Sequence, residues 1–168
     1  MTKIALFFLL AIYVHSSVSD GTTSRPGLMG GWYEQQVHNK NVQEVSHFAA
    51  GNISDTSDSF LHKKMIHVHE AATQVVSGTK YRIVFDLAST VCRKDENPGV
   101  DRNQCDLHKD MPIERCTAVI WERVWLNERQ LIEFSCSHLM SFQDYFSEEN
   151  QKKENEFHGE QNTRINSV

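Results

Sequence analysis

The sequence has no C-x-x-C pair, no G-x-S-x-G elbow, no Lys-Arg stripe and, past its first residues, no apolar run long enough to cross a bilayer. Each absence removes a class of function. Without paired cysteines at ligand spacing there is no zinc ribbon or finger. Without the nucleophile elbow there is no hydrolase of the α/β type. Seventeen Lys and Arg against 22 Asp and Glu give a net charge of −5, so a nucleic-acid or anionic-membrane footprint is missing as well.

What is present begins with a leader. Lys3 precedes an apolar run from Ile4 to Val14, shorter than the ~20 residues of a membrane span, and Ser17-Val18-Ser19 places small residues where a signal peptidase reads. Residues 1–19 are therefore expected to be a cleaved signal peptide, with a secreted, extracellular mature chain starting near Asp20. From Ser147 to Val168 the strong hydrophobes are Phe157, Ile165 and Val168 among Glu, Asn, Gln and Lys. That acidic tail, 147–168, is expected to be disordered, because it cannot bury enough to offset its ordering entropy. One domain remains, 20–146, with its core between about Gly30 and Phe146.

The chain's four cysteines, Cys92, Cys105, Cys116 and Cys136, read in an exported chain as two disulfides with three pairings to choose from. The stretch "CTAVIWERVWLNERQLIEFSC" holds two alternating runs around a turn. Centring that turn near Leu126 sets Cys116 opposite Cys136, Ala118 opposite Phe134 and Ile120 opposite Ile132, with the sulfurs in bridging range. Cys92 and Cys105 then close a short loop through Pro98-Gly99. Each closure is worth roughly 3 kcal/mol in the chain-entropy account.

Between Val37 and Ile53 the apolar residues Val37, Val42, Val45, Phe48, Ala49 and Ile53 fall at helical spacing, and Gly51-Asn52 mark the expected end. Alternating runs predict strands at about 61–74, 79–92, 114–123 and 129–136. One helix on an antiparallel meander is an α+β architecture. In a meander every second turn lies at the same end of the sheet. The tips "QVVSG" and "RVWLNE" should therefore emerge side by side, and both carry hydrophobes where polar residues would be expected: Val75-Val76 and Val124-Trp125. Two such tips together suggest a binding edge.

These residues carry a resemblance. "LMGGW" (Leu28–Trp32), "QVVSG" (Gln74–Gly78), which satisfies Q-x-V-x-G in full, and a Trp in the second tip, in a secreted single-helix chain with four late cysteines, are similar to the type 2 secreted cystatins. Those are reversible inhibitors of papain-like cysteine proteases such as cathepsin L. The resemblance implies a cystatin-like fold, no enzymatic activity, no cofactor, and a three-part wedge. Leu28 and Met29 ahead of the hinge Gly30 would enter the substrate subsites. Gln74, Val75, Val76, Ser77 and Gly78 would form the first loop, and Val124 and Trp125 the second. A monomer is expected, with a domain-swapped dimer as the alternative. The alternative function is a non-inhibitory cystatin-fold binding module, and the acidic tail is unlike the cationic peptide of a membrane-active precursor.

Two departures stand out. The second loop has Val124 where the family carries Pro, which keeps bulk but loses a fixed φ. At the family's Ser-Asn-Asp loop, which inhibits legumain, this chain reads Ser57-Asp58-Ser59, so that second activity is not implied. Asn52-Ile53-Ser54 is a glycosylation sequon, making Asn52 a candidate acceptor. His67 and His69 share a strand face near His62; they read as a solvent-facing strand rather than a metal site.

Overall fold

The computed structural model describes residues 30–165. The expected signal peptide, Leu28 and Met29 lie outside the described residues.

The first regular element is a short strand, β1 (Tyr33–Glu34), followed by the helix α1 (Lys40–Thr56). Asn39 caps α1, its side chain accepting from Asn41 N at 2.9 Å. Val42, Val45, Ala49 and Ile53 form the buried stripe, so one face of the helix is committed to the core. The helix does not stop at Gly51-Asn52 but runs a further turn. Ile53 and Ser54 are still buried there, and Ser54 Oγ accepts the Lys63 backbone N–H at 2.8 Å, tying the helix end to the next strand. A glycine ends a helix when it takes a left-handed conformation; Gly51 is not among the positive-φ residues.

Four long strands follow: β2 (Leu61–Val76), β3 (Gly78–Arg93), β4 (Ile113–Arg123) and β5 (Glu128–Met140). All neighbours pair antiparallel in the order β1-β2-β3-β4-β5. The fold is α+β, a helix packed on a five-stranded meander. The core joins the α1 stripe to Val68 and Ala71 of β2, Ile83, Phe85 and Leu87 of β3, and Cys116, Ala118 and Ile120 of β4. Cys92 bonds Cys105 and Cys116 bonds Cys136.

Three further details differ from the sequence expectation. Strands β2 and β3 continue to Val76 and Gly78, which pair with each other and leave Ser77 alone to turn the chain. In the β4–β5 ladder, Cys116 faces Cys136 and Ala118 faces Phe134, but a bulge then sets Ile120 opposite Leu131 rather than Ile132. Leu131 packs on the core, and Ile132 is left exposed.

The third difference is the tail. Where composition predicts disorder from Ser147, the chain is helical as α2 (Phe142–Ile165). Ser141 starts it, with Asp144 N donating to Ser141 Oγ at 3.2 Å and Ser141 Oγ donating back to Asp144. Phe142 stacks on Phe146 with ring centroids 4.5 Å apart, and a Glu149–Lys153 pair spans one turn. Low apolar content limits only what the segment can bury. Glu, Gln and Lys are also strong helix formers, able to extend a helix whose first turn is anchored elsewhere.

Candidate functional site

The sheet topology delivers both hairpin tips to one edge. Thr79 pairs with Glu122, and the Trp121 indole N–H donates to the Ser77 carbonyl at 3.0 Å, so the β2–β3 tip rests against the end of β4. Gly78 makes that approach feasible. Its φ is 111°, and a Cβ there would lie 2.4 Å from the Glu122 carbonyl oxygen. The β4–β5 tip is a 3-10 turn, Val124–Leu126, closed by Asn127 in the left-handed conformation, whose N–H bonds Val124 O at 3.0 Å.

Gly30 joins the same edge. Strand β1 pairs Tyr33 with Thr73 and Glu34 with Ala72, which lays residues 30–34 along the upper half of β2. Gln74 Nε2 donates to the Gly30 carbonyl, and Gly30 has φ 91°, a conformation that a side chain would strain. The sequence reading did not foresee β1, which is two residues long and follows no alternation of its own.

The result is an apolar edge. Val75 is 69% exposed, Val76 39%, Val124 73%, Trp125 65% and Leu126 55%. Leu126 is the residue that sequence reasoning passed over, because it served there only as the centre of the turn. Beside the second tip, Arg123 pairs with Glu128 and Arg129 with Glu122. None of Gln74–Gly78 or Val124–Leu126 carries a titratable group. Such a surface can exclude water and bury area on contact with a partner.

Other sequence candidates fall elsewhere. Asn52 lies inside α1, its Nδ2 donating to Phe48 O at 2.8 Å, and Ser54 of the sequon is buried. A glycan there would have to be attached before the helix packs. His62 is buried, with Nε2 at 2.9 Å from Asn97 O, remote in contacts from His67 and His69. Among the described residues no group of three or more His, Cys, Asp or Glu is arranged to hold a metal.

His69 instead belongs to a cluster on the sheet face opposite α1. Asp86 is fully buried there and takes hydrogen bonds from Arg115 Nε at 2.8 Å and Tyr145 Oη at 2.8 Å, with His69 Nε2 also against it. Burial alone would raise the Asp86 pKa, but bonds from Arg115, His69 and Tyr145 outweigh it, and the carboxyl is held below its usual range. Tyr145 is pushed far above the usual phenol range, first by burial and then by its bond to Asp86.

One helix, α1, packed on a five-stranded meander, with two exposed apolar tips and Gly30 gathered at one edge, is the α+β frame that carries this site. The Cystatin domain family model matches residues 30–125. Cystatin-1 of Chilobrachys guangxiensis is 35% identical over 133 residues, covering 79% of this chain and 93% of that relative. L-cystatin of Tachypleus tridentatus is 31% identical over 109 residues, 65% of this chain and 82% of the relative. Among solved structures, a salivary cystatin from the soft tick Ornithodoros moubata superposes with a TM-score of 0.59 at 27% identity, covering 66% of this chain and all of that one. Dimeric human cystatin F superposes at 0.61, with 19% identity over 73% of this chain and 98% of that one. The chain belongs to the cystatin family, whose members are generally inhibitors of cysteine proteases rather than enzymes.

Proposed function

We propose that this chain is a secreted, reversible, tight-binding inhibitor of papain-like cysteine proteases of the cathepsin L type. It fills the active-site cleft with Leu28-Met29 ahead of Gly30, the Gln74–Gly78 tip and Val124-Trp125. The observation that carries the reading is the convergence of two exposed apolar tips and the Gly30 hinge on one sheet edge. Burial of such an edge supplies affinity, and on this reading the tips fill the cleft without placing a scissile bond against the catalytic thiolate. No helix among the described residues is long and apolar enough to cross a membrane, and a monomer is sufficient for the wedge.

Titrating the mature protein, residues 20–168, against papain and cathepsin L tests the reading. Stoichiometric, reversible loss of activity is expected, and full protease activity at micromolar inhibitor would overturn it. Legumain should be inhibited weakly or not at all. The Ser57-Asp58-Ser59 segment sits beyond the far end of α1, where Ser57 N–H bonds Ile53 O at 3.0 Å, and has Asp58 at the position where the family's legumain loop has Asn. Nanomolar legumain inhibition at neutral pH would contradict this.

A further inference from the structure

The first tip is held by a side chain that belongs to neither tip. Trp121 lies on β4 opposite Lys80, three residues before the second tip begins. Its neighbour Ile120 points into the core, so the indole stands on the opposite face and reaches along it to the turn. Ser77 is the one residue between β2 and β3, and its carbonyl takes the Trp121 N–H at 3.0 Å. The Arg123 guanidinium covers the Trp121 ring at 4.3 Å and pairs in turn with Glu128, the first residue of β5. Residues 121–123 also press on Gly78 from below, since a Cβ there would lie 3.0 Å from the indole nitrogen and 3.1 Å from Arg123 Cγ.

We propose that Trp121 is a positioning residue for inhibition. Through its single N–H it fixes the Ser77 carbonyl, and with it the direction in which Val75 and Val76 are presented. The proposal rests on the inhibitory reading above and adds a residue outside all three parts of the wedge. A two-residue ladder end, Val76 with Gly78, closes on one turn residue and would otherwise fray, because the end of a hairpin has no further rung to hold it. Holding it before binding removes an ordering cost that an untethered tip would meet on the protease. The Trp121–Arg123–Glu128 stack carries the same restraint to the base of the second tip, so the two tips present one rigid edge.

Two variants separate the N–H from the ring. Trp121→Phe removes the donor and part of the ring, and replacing Trp121 by 3-benzothienylalanine removes the donor alone. Two quantities are read: backbone amide exchange at residues 76–79 in the free protein, and the dissociation rate from papain. A neutral hydrogen bond is worth about a three- to tenfold change in an equilibrium. Tip exchange and dissociation should therefore each accelerate by about three- to tenfold in the isostere. Exchange in Ile83–Leu87 and the melting temperature should stay put, which a merely structural role would not allow. Unchanged dissociation, whether or not tip exchange rises, overturns the proposal, as does a loss of protection spread evenly through the core strands. A wild-type protein that does not bind papain sinks the inhibitory reading first, and the exchange comparison then still decides whether Trp121 holds the tip.

Discussion

At the scale of single residues, the edge is defined less by what is polar than by what is left uncovered. Trp125 has the largest apolar side chain on the wedge and is 65% exposed in the free protein, with no core contact to lose. Aromatic anchors of this kind dominate interfaces when a partner buries them. Trp125→Ala should therefore weaken papain binding by about 2–4 kcal/mol, on the order of 30- to 1000-fold, with the melting temperature unchanged. Parallel inhibition titrations and thermal melts of the two proteins check it, and equal inhibition constants would remove Trp125 from the interface. The wedge residues carry no titratable group, so any pH dependence of affinity should follow the protease rather than this chain.

At the scale of elements, the sheet has two differently built faces. The face against α1 is apolar and was legible in the sequence, because Ile83, Phe85 and Leu87 alternate and the α1 stripe repeats at helical spacing. The opposite face was not. Asp86 falls between two core residues, so alternation assigns it to solvent, yet Arg115, His69 and Tyr145 close over it from β4, β2 and α2. Alternation within one strand says nothing of what a distant helix brings back. The same limit explains the bulge at Ile120, which depends on how β5 meets the core, and the position of β1, which is fixed by its partner. Asp86→Asn leaves Arg115 without its buried carboxylate and should cost about 3 kcal/mol near neutral pH. A carboxyl held below its usual range contributes stability that is present above the unfolded value near ~3.9 and lost as pH falls toward the folded one. The gap between wild type and variant should thus be full at pH 7 and narrow below about pH 4. Urea titrations across that range measure it, and a constant gap at every pH would show that Asp86 is not the titrating group. Truncation offers a second check on this face. Removing residues 147–168 keeps Phe142, Tyr145 and Phe146 in place and should leave the melting temperature within a few degrees. Cutting before Phe142 uncovers Asp86 and should lower it clearly, and equal melts for both truncations would mean that α2 does not brace the sheet.

At the scale of the whole molecule, Gly30 and the two tips of the proposed wedge are joined to one another unequally. Gly30 is bonded to the first tip through Gln74, and the first tip to the second through Trp121, Arg123 and Glu128, but among the described residues no hydrogen bond or ion pair joins Gly30 to the second tip directly. Deleting everything before Gly30 removes Leu28 and Met29, each worth roughly 1.5–3 kcal/mol when fully buried in a protease subsite. Ordering a few backbone residues costs about 1–2 kcal/mol apiece, so only part of that gain survives. A net loss of about 1.5–4 kcal/mol is expected, ten- to a thousandfold in affinity, and mostly as faster dissociation. The folding cluster runs from Val42 to Ile120, so the truncated chain should melt as the full one does. The connectivity then sets how losses combine. The deletion and Trp125→Ala touch parts without a shared partner, and their costs should add within about 0.5 kcal/mol. The deletion and Gln74→Ala share the Gly30 carbonyl, and their combined cost should fall short of the sum, because the side chain that aims the segment matters only while the segment is there. Inhibition constants for the single and double variants against papain supply both cycles. Additivity in the Gln74 cycle would mean that the Gln74–Gly30 bond does not direct the segment, and an affinity unchanged by the deletion would mean that Leu28 and Met29 never enter the cleft.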